Sequence, residues 1–118
     1  MDIEQLRDYC IKKKGVTEEF PFDNDTLVFK VMGKMFALAS LTEKPFSVNL
    51  KMNIEIINDW REKYDDIQPG YHMNKKMWNT VMVGNGNISA IEFYWMIEHS
   101  YDEVIKGLPK KVQEQLKK

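Results

Sequence analysis

The side chains best suited to binding chemistry are concentrated in one short stretch, residues 69–79. This stretch carries a tyrosine, a histidine, two amides, two lysines and a tryptophan: Tyr71, His72, Asn74, Lys75, Lys76, Trp78 and Asn79. Lysines neutralise phosphates, amides bond phosphates or base edges, and an exposed aromatic ring can stack on a base. These residue types suit a nucleic-acid contact, but composition alone favours the alternative, a loop tied down by its own amides with Met77 and Trp78 packed on a sheet.

Other residues that could carry catalysis have simpler structural interpretations. The chain contains no nucleophile elbow, P-loop or dinucleotide fingerprint, and the glycine-rich residues 84–87 lack the lysine of a phosphate cradle and are interpreted as a turn. Cys10 falls on the apolar stripe of a predicted helix, where it packs as an inert small hydrophobe. His99 precedes Asp102 and Glu103 by one helical turn, which is typical of a solvated helix face. The sequence therefore predicts no enzyme.

Length and composition limit the class of protein. The 118 residues predict a single domain, residues 1–118, and no apolar run approaches the roughly 20 residues that cross a bilayer. One cysteine and an N-terminus without an apolar core predict a cytoplasmic location. The net charge of −1 argues against indiscriminate polyanion binding by the whole surface. Residues 67–91, however, contain Lys75 and Lys76 and no acidic residue.

The predicted elements give an α+β fold in which helices cover one face of an antiparallel sheet. Period-two alternation predicts strands at residues 26–31, 34–39, 46–51 and 78–83, the first three of which form a meander. Helical periodicity predicts a first helix that ends at Gly15 and a second that runs from Asn53 to about Lys63. Ser89 and Glu92 form a capping box that opens the longest helix, and a short terminal helix follows Pro109. Residues 65–74 are interpreted as a loop.

Three segments carry a resemblance to a known family: PGYHMNKKMWNTV at 69–81, DTLVFKVMGKMFALASL at 25–41 and SVNLKMN at 47–53. They resemble the MmcQ/YjbR family, and LRDYC at 6–10, GVTEEFPF at 15–22 and HSYDEVIKGLPKKVQEQL at 99–116 extend the resemblance over nearly the whole chain. The resemblance implies a CyaY-like, or double-wing, fold. It also implies a small cytoplasmic bacterial protein that is predicted to bind DNA, and it does not imply an enzyme. No cofactor and no metal site are predicted.

The resemblance also implies a set of site residues. The positions that match the family motifs are Gly70, Tyr71, His72, Asn74, Lys75, Lys76, Trp78 and Asn79, together with Asn49 and Lys51 in the strand motif. The chain departs from the pattern at two places, one of them a pair of residues. Met77 stands where relatives often have histidine, and Met52-Asn53 stands where they often have Cys-Asp, so the binding face is less polar than usual.

The leading functional hypothesis is a non-catalytic DNA-binding module. Lys75 and Lys76 would contact phosphates, with Lys51 and either Lys30 or Lys34 on the sheet wings. His72, Asn74 and Asn79 would orient the loop or reach base edges.

Two alternatives come from other classes. The family's association with mitomycin resistance motivates a binding site for a small aromatic ligand or a protein partner, in a pocket lined by Trp60, Trp78, Trp95 and methionines. Frataxin-like proteins of the CyaY-like fold bind iron through acids on the first helix and the adjoining strand. Here the corresponding acids are Asp2, Glu4, Asp8, Glu18 and Glu19, and Arg7 and three lysines interrupt them. No membrane partner is predicted, and the oligomeric state is left open.

Overall fold

The computed structural model describes residues 1–70 and 73–117. Its helices are α1 (Ile3–Ile11), α2 (Ile57–Lys63), α3 (Ala90–Lys106) and α4 (Lys110–Leu116). Its strands are β1 (Val16–Glu19), β2 (Thr26–Val31), β3 (Lys34–Ser40), β4 (Ser47–Lys51), β5 (Ile67–Pro69) and β6 (Trp78–Met82). The strands form one sheet in the order β1-β2-β3-β4-β6-β5, and every neighbouring pair is antiparallel. The predicted α+β fold is confirmed.

Alternation along the strands divides the sheet into a helix-covered face and an open face. Leu27, Phe29 and Val31 of β2 point into the main core, which also contains Phe93 and Ile97 of α3. The residues between them point to the other side. There, successive strands place Val28, Leu38, Asn49 and Thr80 opposite one another in a single row. We call this second side, on which the described helices do not pack, the open face.

Two edge strands were not predicted from the sequence. β1 pairs with β2, although only Val16 of its four residues is apolar. β5 pairs with β6 and lies inside the stretch that was interpreted as a loop, so that interpretation is wrong for Ile67–Pro69. Edge strands of this kind are held by backbone pairing on one side, which leaves little periodicity in the sequence.

The helix boundaries follow local capping. Ser89 accepts the backbone N–H of Glu92 at 3.1 Å, which confirms the predicted start of α3. α2 begins at Ile57 rather than at Asn53. The Asn53 side chain instead accepts the N–H of Glu55 at 2.8 Å, and it caps a turn that leads into α2.

A buried serine joins α3 to the centre of the sheet. The register between β2 and β3 shifts after Phe29, so that Phe36 and Ala37 both face the core. Ser100 of α3, which has no exposed surface, donates its hydroxyl to the carbonyl of Phe36 at 2.6 Å. The Ser100 hydroxyl oxygen also accepts the backbone N–H of Lys51 at 2.9 Å. The Ser100 side chain thus forms hydrogen bonds with both β3 and β4, next to the register shift between β2 and β3.

Within the described ranges, none of the helices combines the length and the apolar character that a membrane span needs.

Candidate binding surface on the open face

The two lysines of the 69–79 stretch lie on a tight turn before β6. The carbonyl of Asn74 accepts the backbone N–H groups of Met77 and Trp78, at 3.1 and 2.9 Å. Its side-chain oxygen accepts the N–H of Lys76 at 3.0 Å. The Asn74 side chain therefore orients the loop, which is one of the two roles predicted for it.

Lys75 and Lys76 are exposed on this turn, and no carboxylate in the described part of the chain forms an ion pair with either. Lys51 lies opposite Trp78 in the β4–β6 ladder, and strand alternation directs it to the open face. Lys51, Lys75 and Lys76, here named the lysine group, lie at the end of β4 and on the turn that leads into its neighbour β6. Of the other two wing candidates, Lys30 is paired with Glu19, and Lys34 is exposed at the start of β3.

Trp78 does not have the exposure that base stacking requires. Its side chain is 8 % exposed and packs with Val28 and Leu38, beneath the partly buried Met73 and Met77. The predicted contact of Trp78 with a base is therefore corrected, and the structure supports the alternative of packing on the sheet. Met77 belongs to this cover, so its apolar side chain has a structural role where relatives often carry histidine.

Asn79 is also corrected from a base-contacting residue to an internal one. It has no exposed surface and lies on the helix-covered side of β6. Its oxygen accepts Nε of Arg61 at 2.6 Å, and its amide nitrogen lies 3.6 Å from Sδ of Met52. A fully buried amide with these partners orients the chain rather than reading a base edge.

Arg61 organises the loop and was not predicted to do so. Besides Asn79, its guanidinium donates to the carbonyls of Lys75 and Trp78, the latter at 3.2 Å, and to the side-chain oxygen of Asn58 at 3.3 Å. Burial lowers the pKa of Arg61, and its partners are neutral oxygens. The arginine thus ties α2 to both ends of the turn that carries the two lysines. The only sequence signal was the rarity of arginine in this chain.

Two predicted site residues, Tyr71 and His72, lie outside the described residues. The remaining one, Asn49, is half-buried on the open face and accepts the hydroxyl of Thr80. It lies away from the lysine group along β4, in a groove.

This groove has a volume of about 370 Å³ and lies on the open face. Its lining is made of short polar side chains, two carboxylates and a few apolar groups: Phe22, Asp23, Thr26, Leu38, Ala39, Ser40, Glu43, Ser47, Asn49, Met73 and Thr80. We name it the hydroxyl groove. None of the three tryptophans is among its lining residues, so this groove is not the expected tryptophan-lined pocket.

Two of those tryptophans stack on the helical side instead. The rings of Trp60 and Trp95 are 5.6 Å apart, and His99 stacks on Trp95 at 4.9 Å. Nε2 of His99 accepts the backbone N–H of Asn53 at 3.1 Å. His99 is therefore half-buried and engaged, which corrects the predicted solvated face, and burial lowers its pKa.

The remaining candidates for chemistry are engaged elsewhere. Cys10 is fully buried, and burial raises the pKa of its thiol to about 12, which confirms the inert interpretation. Glu18 pairs with Arg7 at 2.6 Å, and Glu19 pairs with Lys30. Among residues 1–70 and 73–117, no three histidines, cysteines or acids cluster in a way that could hold a metal ion.

Comparison with known proteins places the chain in a family. The family model YjbR matches residues 11–103. The YjbR protein of Escherichia coli K12 is 29 % identical over 109 residues, which is 92 % of each chain. The YbdF protein of Escherichia coli O157:H7 is 39 % identical over 101 residues, covering 83 % of this chain and 80 % of that protein.

Solved structures agree with the sequence comparisons. The crystal structure of the Deinococcus radiodurans protein DR2400 superimposes with a TM-score of 0.90 at 36 % identity, over 98 % of this chain and 87 % of that one. A crystal structure from Pseudomonas syringae has a TM-score of 0.72 at 31 % identity, over 85 % of this chain and 96 % of that one. The match thus covers most of each protein in sequence and in fold, and the chain belongs to the YjbR family.

Proposed function

We propose that this protein is a non-catalytic nucleic-acid-associated module that contacts phosphates through the lysine group. The observation that supports the proposal is the arrangement of Lys75 and Lys76. Both are exposed, neither is neutralised by a described carboxylate, and the turn beneath them is fixed by Arg61. Because the backbone of the turn is already ordered, contact with phosphates requires the ordering of only the two lysine side chains.

The contact would recognise the phosphate backbone rather than the base sequence. Lysine presents a point charge without the fork that reads guanine, and the burial of Trp78 and Asn79 removes two candidates for base contact. With a net charge of −1, the rest of the surface adds no general attraction for polyanions. We therefore expect weak binding with a modest dependence on salt.

The salt dependence gives a quantitative expectation. If each of the three lysines neutralises one phosphate of duplex DNA, log affinity falls with log salt with a slope of about −2.7. Removing Lys75 and Lys76 leaves one contact, so the slope becomes about −0.9.

The experiment is a fluorescence anisotropy titration of labelled duplex and single-stranded DNA at several salt concentrations. The variant is Lys75→Ala with Lys76→Ala. The control is Lys110→Ala with Lys111→Ala, which removes the same charge from an exposed lysine pair on α4. We expect the first variant to weaken binding roughly tenfold or more at low salt and to flatten the slope, while the control changes neither markedly.

Three results would contradict the proposal. One is the absence of saturable binding at the lowest salt concentration. Another is unchanged affinity in the Lys75/Lys76 variant. The third is an equal loss of affinity in both double variants, because that loss would reflect net charge and not a located surface.

A further inference from the structure

The hydroxyl groove lies apart from the lysine group on the same face of the sheet. Ser47 and Lys51 are the two ends of β4, so about 13 Å of strand separates them. Thr26, Ser40 and Ser47 bring three hydroxyls together from β2, β3 and β4. The hydroxyl groove is therefore a separate site from the proposed nucleic-acid contact.

Ser47 is the residue that points to an occupant. It is only 9 % exposed and lines the groove, and its hydroxyl has no hydrogen-bond partner within residues 1–70 and 73–117. Ser40, by contrast, accepts the backbone N–H groups of Thr42 and Glu43, at 3.3 and 3.1 Å. No deeply buried side-chain oxygen or nitrogen in the described chain lacks a partner, so the unpaired Ser47 hydroxyl is reachable from the groove and is available to a molecule in it.

The described lining of the groove is negatively charged. Among the residues that the structure describes, Asp23 and Glu43 are the charged ones that line it, and no lysine or arginine is present there. The Asp23 carboxylate accepts the backbone N–H groups of Asp25 and Thr26, at 2.9 and 2.7 Å, and these bonds lower its pKa. Asp23 therefore stays ionised at neutral pH and favours a cationic partner.

Apolar side chains also line the groove. Phe22 is 64 % exposed, and it lines the groove together with Leu38 and the partly buried Met73. A large exposed ring beside a polar cleft gives an organic ligand a surface for stacking. The volume of about 370 Å³ is within the range of small-molecule sites.

We propose that the hydroxyl groove binds a small organic cation, namely an amine carried on an apolar or aromatic body. The ammonium group is held by the carboxylates of Asp23 and Glu43 and donates a hydrogen bond to the Ser47 hydroxyl. The apolar body packs against Phe22, Leu38 and Met73. Binding involves no covalent step.

The test compares ligands that share a body and differ in charge. 1-Naphthylmethylamine is titrated against the full chain, with 1-naphthalenemethanol as the neutral analogue and 1-naphthoate as the anionic one, and backbone amide shifts locate the site. We expect saturable binding of the amine, at least about tenfold tighter than the acid, with shifts at Ser40, Ser47 and Asn49.

Two variants and a control separate the contributions. Glu43→Gln and Ser47→Ala each weaken amine binding by about three- to tenfold, the size expected for one charge-assisted or buried hydrogen bond. Glu114→Gln, which removes an exposed carboxylate on α4, leaves it unchanged. Amide spectra of each variant verify that the fold is retained.

Four outcomes would overturn the proposal. The first two are no saturation at millimolar amine and equal affinity for 1-naphthoate. The third is shifts that map away from the open face. The fourth is a lysine-containing peptide that binds ten times more tightly than the free amine, because the occupant would then be a partner protein.

Discussion

Replacing Arg61 with methionine tests whether one arginine holds the loop that carries the lysine group. Methionine keeps much of the length and apolar volume of the side chain but removes all of its donors. The hydrogen bonds to Asn79, Trp78, Lys75 and Asn58 are lost together. We expect a clear loss of stability, although Arg61 has no charged partner in the described chain.

The size of the expected stability loss follows from the oxygen acceptors that Arg61→Met leaves without a donor. The Asn79 oxygen is fully buried and loses its donor, which costs about 1–3 kcal/mol. The carbonyls of Lys75 and Trp78 lie nearer to solvent, so their bonds add about 0.5–1 kcal/mol each. The sum is about 3 kcal/mol. For 118 residues, each kcal/mol lowers Tm by about 4 °C, so the expected decrease is about 12 °C.

The assay is urea unfolding of four proteins: the wild type, Arg61→Met, Asn79→Leu and the double variant. In the double variant both partners are replaced by apolar groups of similar size, so no buried oxygen is left unpaired. We therefore expect the double variant to be at least about 1 kcal/mol more stable than the sum of the single effects predicts. Arg61→Lys serves as a control that keeps the positive charge but removes the planar set of guanidinium donors.

Either of two results would refute this reasoning. Arg61→Met could unfold within about 0.5 kcal/mol of the wild type, which would mean that water replaces the arginine without cost. Alternatively, the two single effects could be additive, which would mean that Arg61 and Asn79 act independently.

Two further predictions concern α3. Burial holds the pKa of His99 below its ordinary 6.5, despite the opposing charges of Glu103 and Asp102, so folding favours the neutral ring. The contribution of His99 to stability is therefore fully present above pH 6.5 and declines as the pH falls below that value. In denaturant unfolding, the free energy of unfolding should fall less between pH 7 and pH 5.5 in His99→Gln than in the wild type. An equal fall in both proteins would contradict this assignment. Ser100→Ala leaves a buried carbonyl and a backbone N–H without their shared partner, so we expect a loss of about 2–4 kcal/mol in urea unfolding. A loss below about 1 kcal/mol would show that the sheet closes without the hydroxyl.

Features that depend on local sequence could be predicted. The alternation in β2 identifies its strand and its core face, because strand side chains point in opposite directions in turn. The Ser89–Glu92 capping box locates the start of α3, because both partners lie within one turn. The inert state of Cys10 followed in the same way from its place on a helical stripe.

Features that depend on contacts between distant segments of the chain could not be predicted from the sequence. The bond between Arg61 and Asn79 joins positions 18 apart, and it forms only because α2 folds beside the β5 edge of the sheet. Asn79 looks like a surface amide in the sequence because polar residues are rarely buried without a specific partner. The hydroxyl groove depends on β4 lying beside β6, an adjacency of strands that are not consecutive in the chain. His99 was misplaced for a related reason, since its acceptor role requires Asn53 from a separate segment.

Ser100, which forms hydrogen bonds with both β3 and β4, makes one amide proton of the sheet a reporter of helix docking. Most amide protons in a strand are protected by the neighbouring strand, so their hydrogen exchange follows opening of the sheet. The amide proton of Lys51 is instead bonded to a hydroxyl carried by α3. Its exchange rate should therefore follow separation of the helix from the sheet, while the amides of the β4–β6 ladder stay protected. A single resonance would thus measure how often the two layers part.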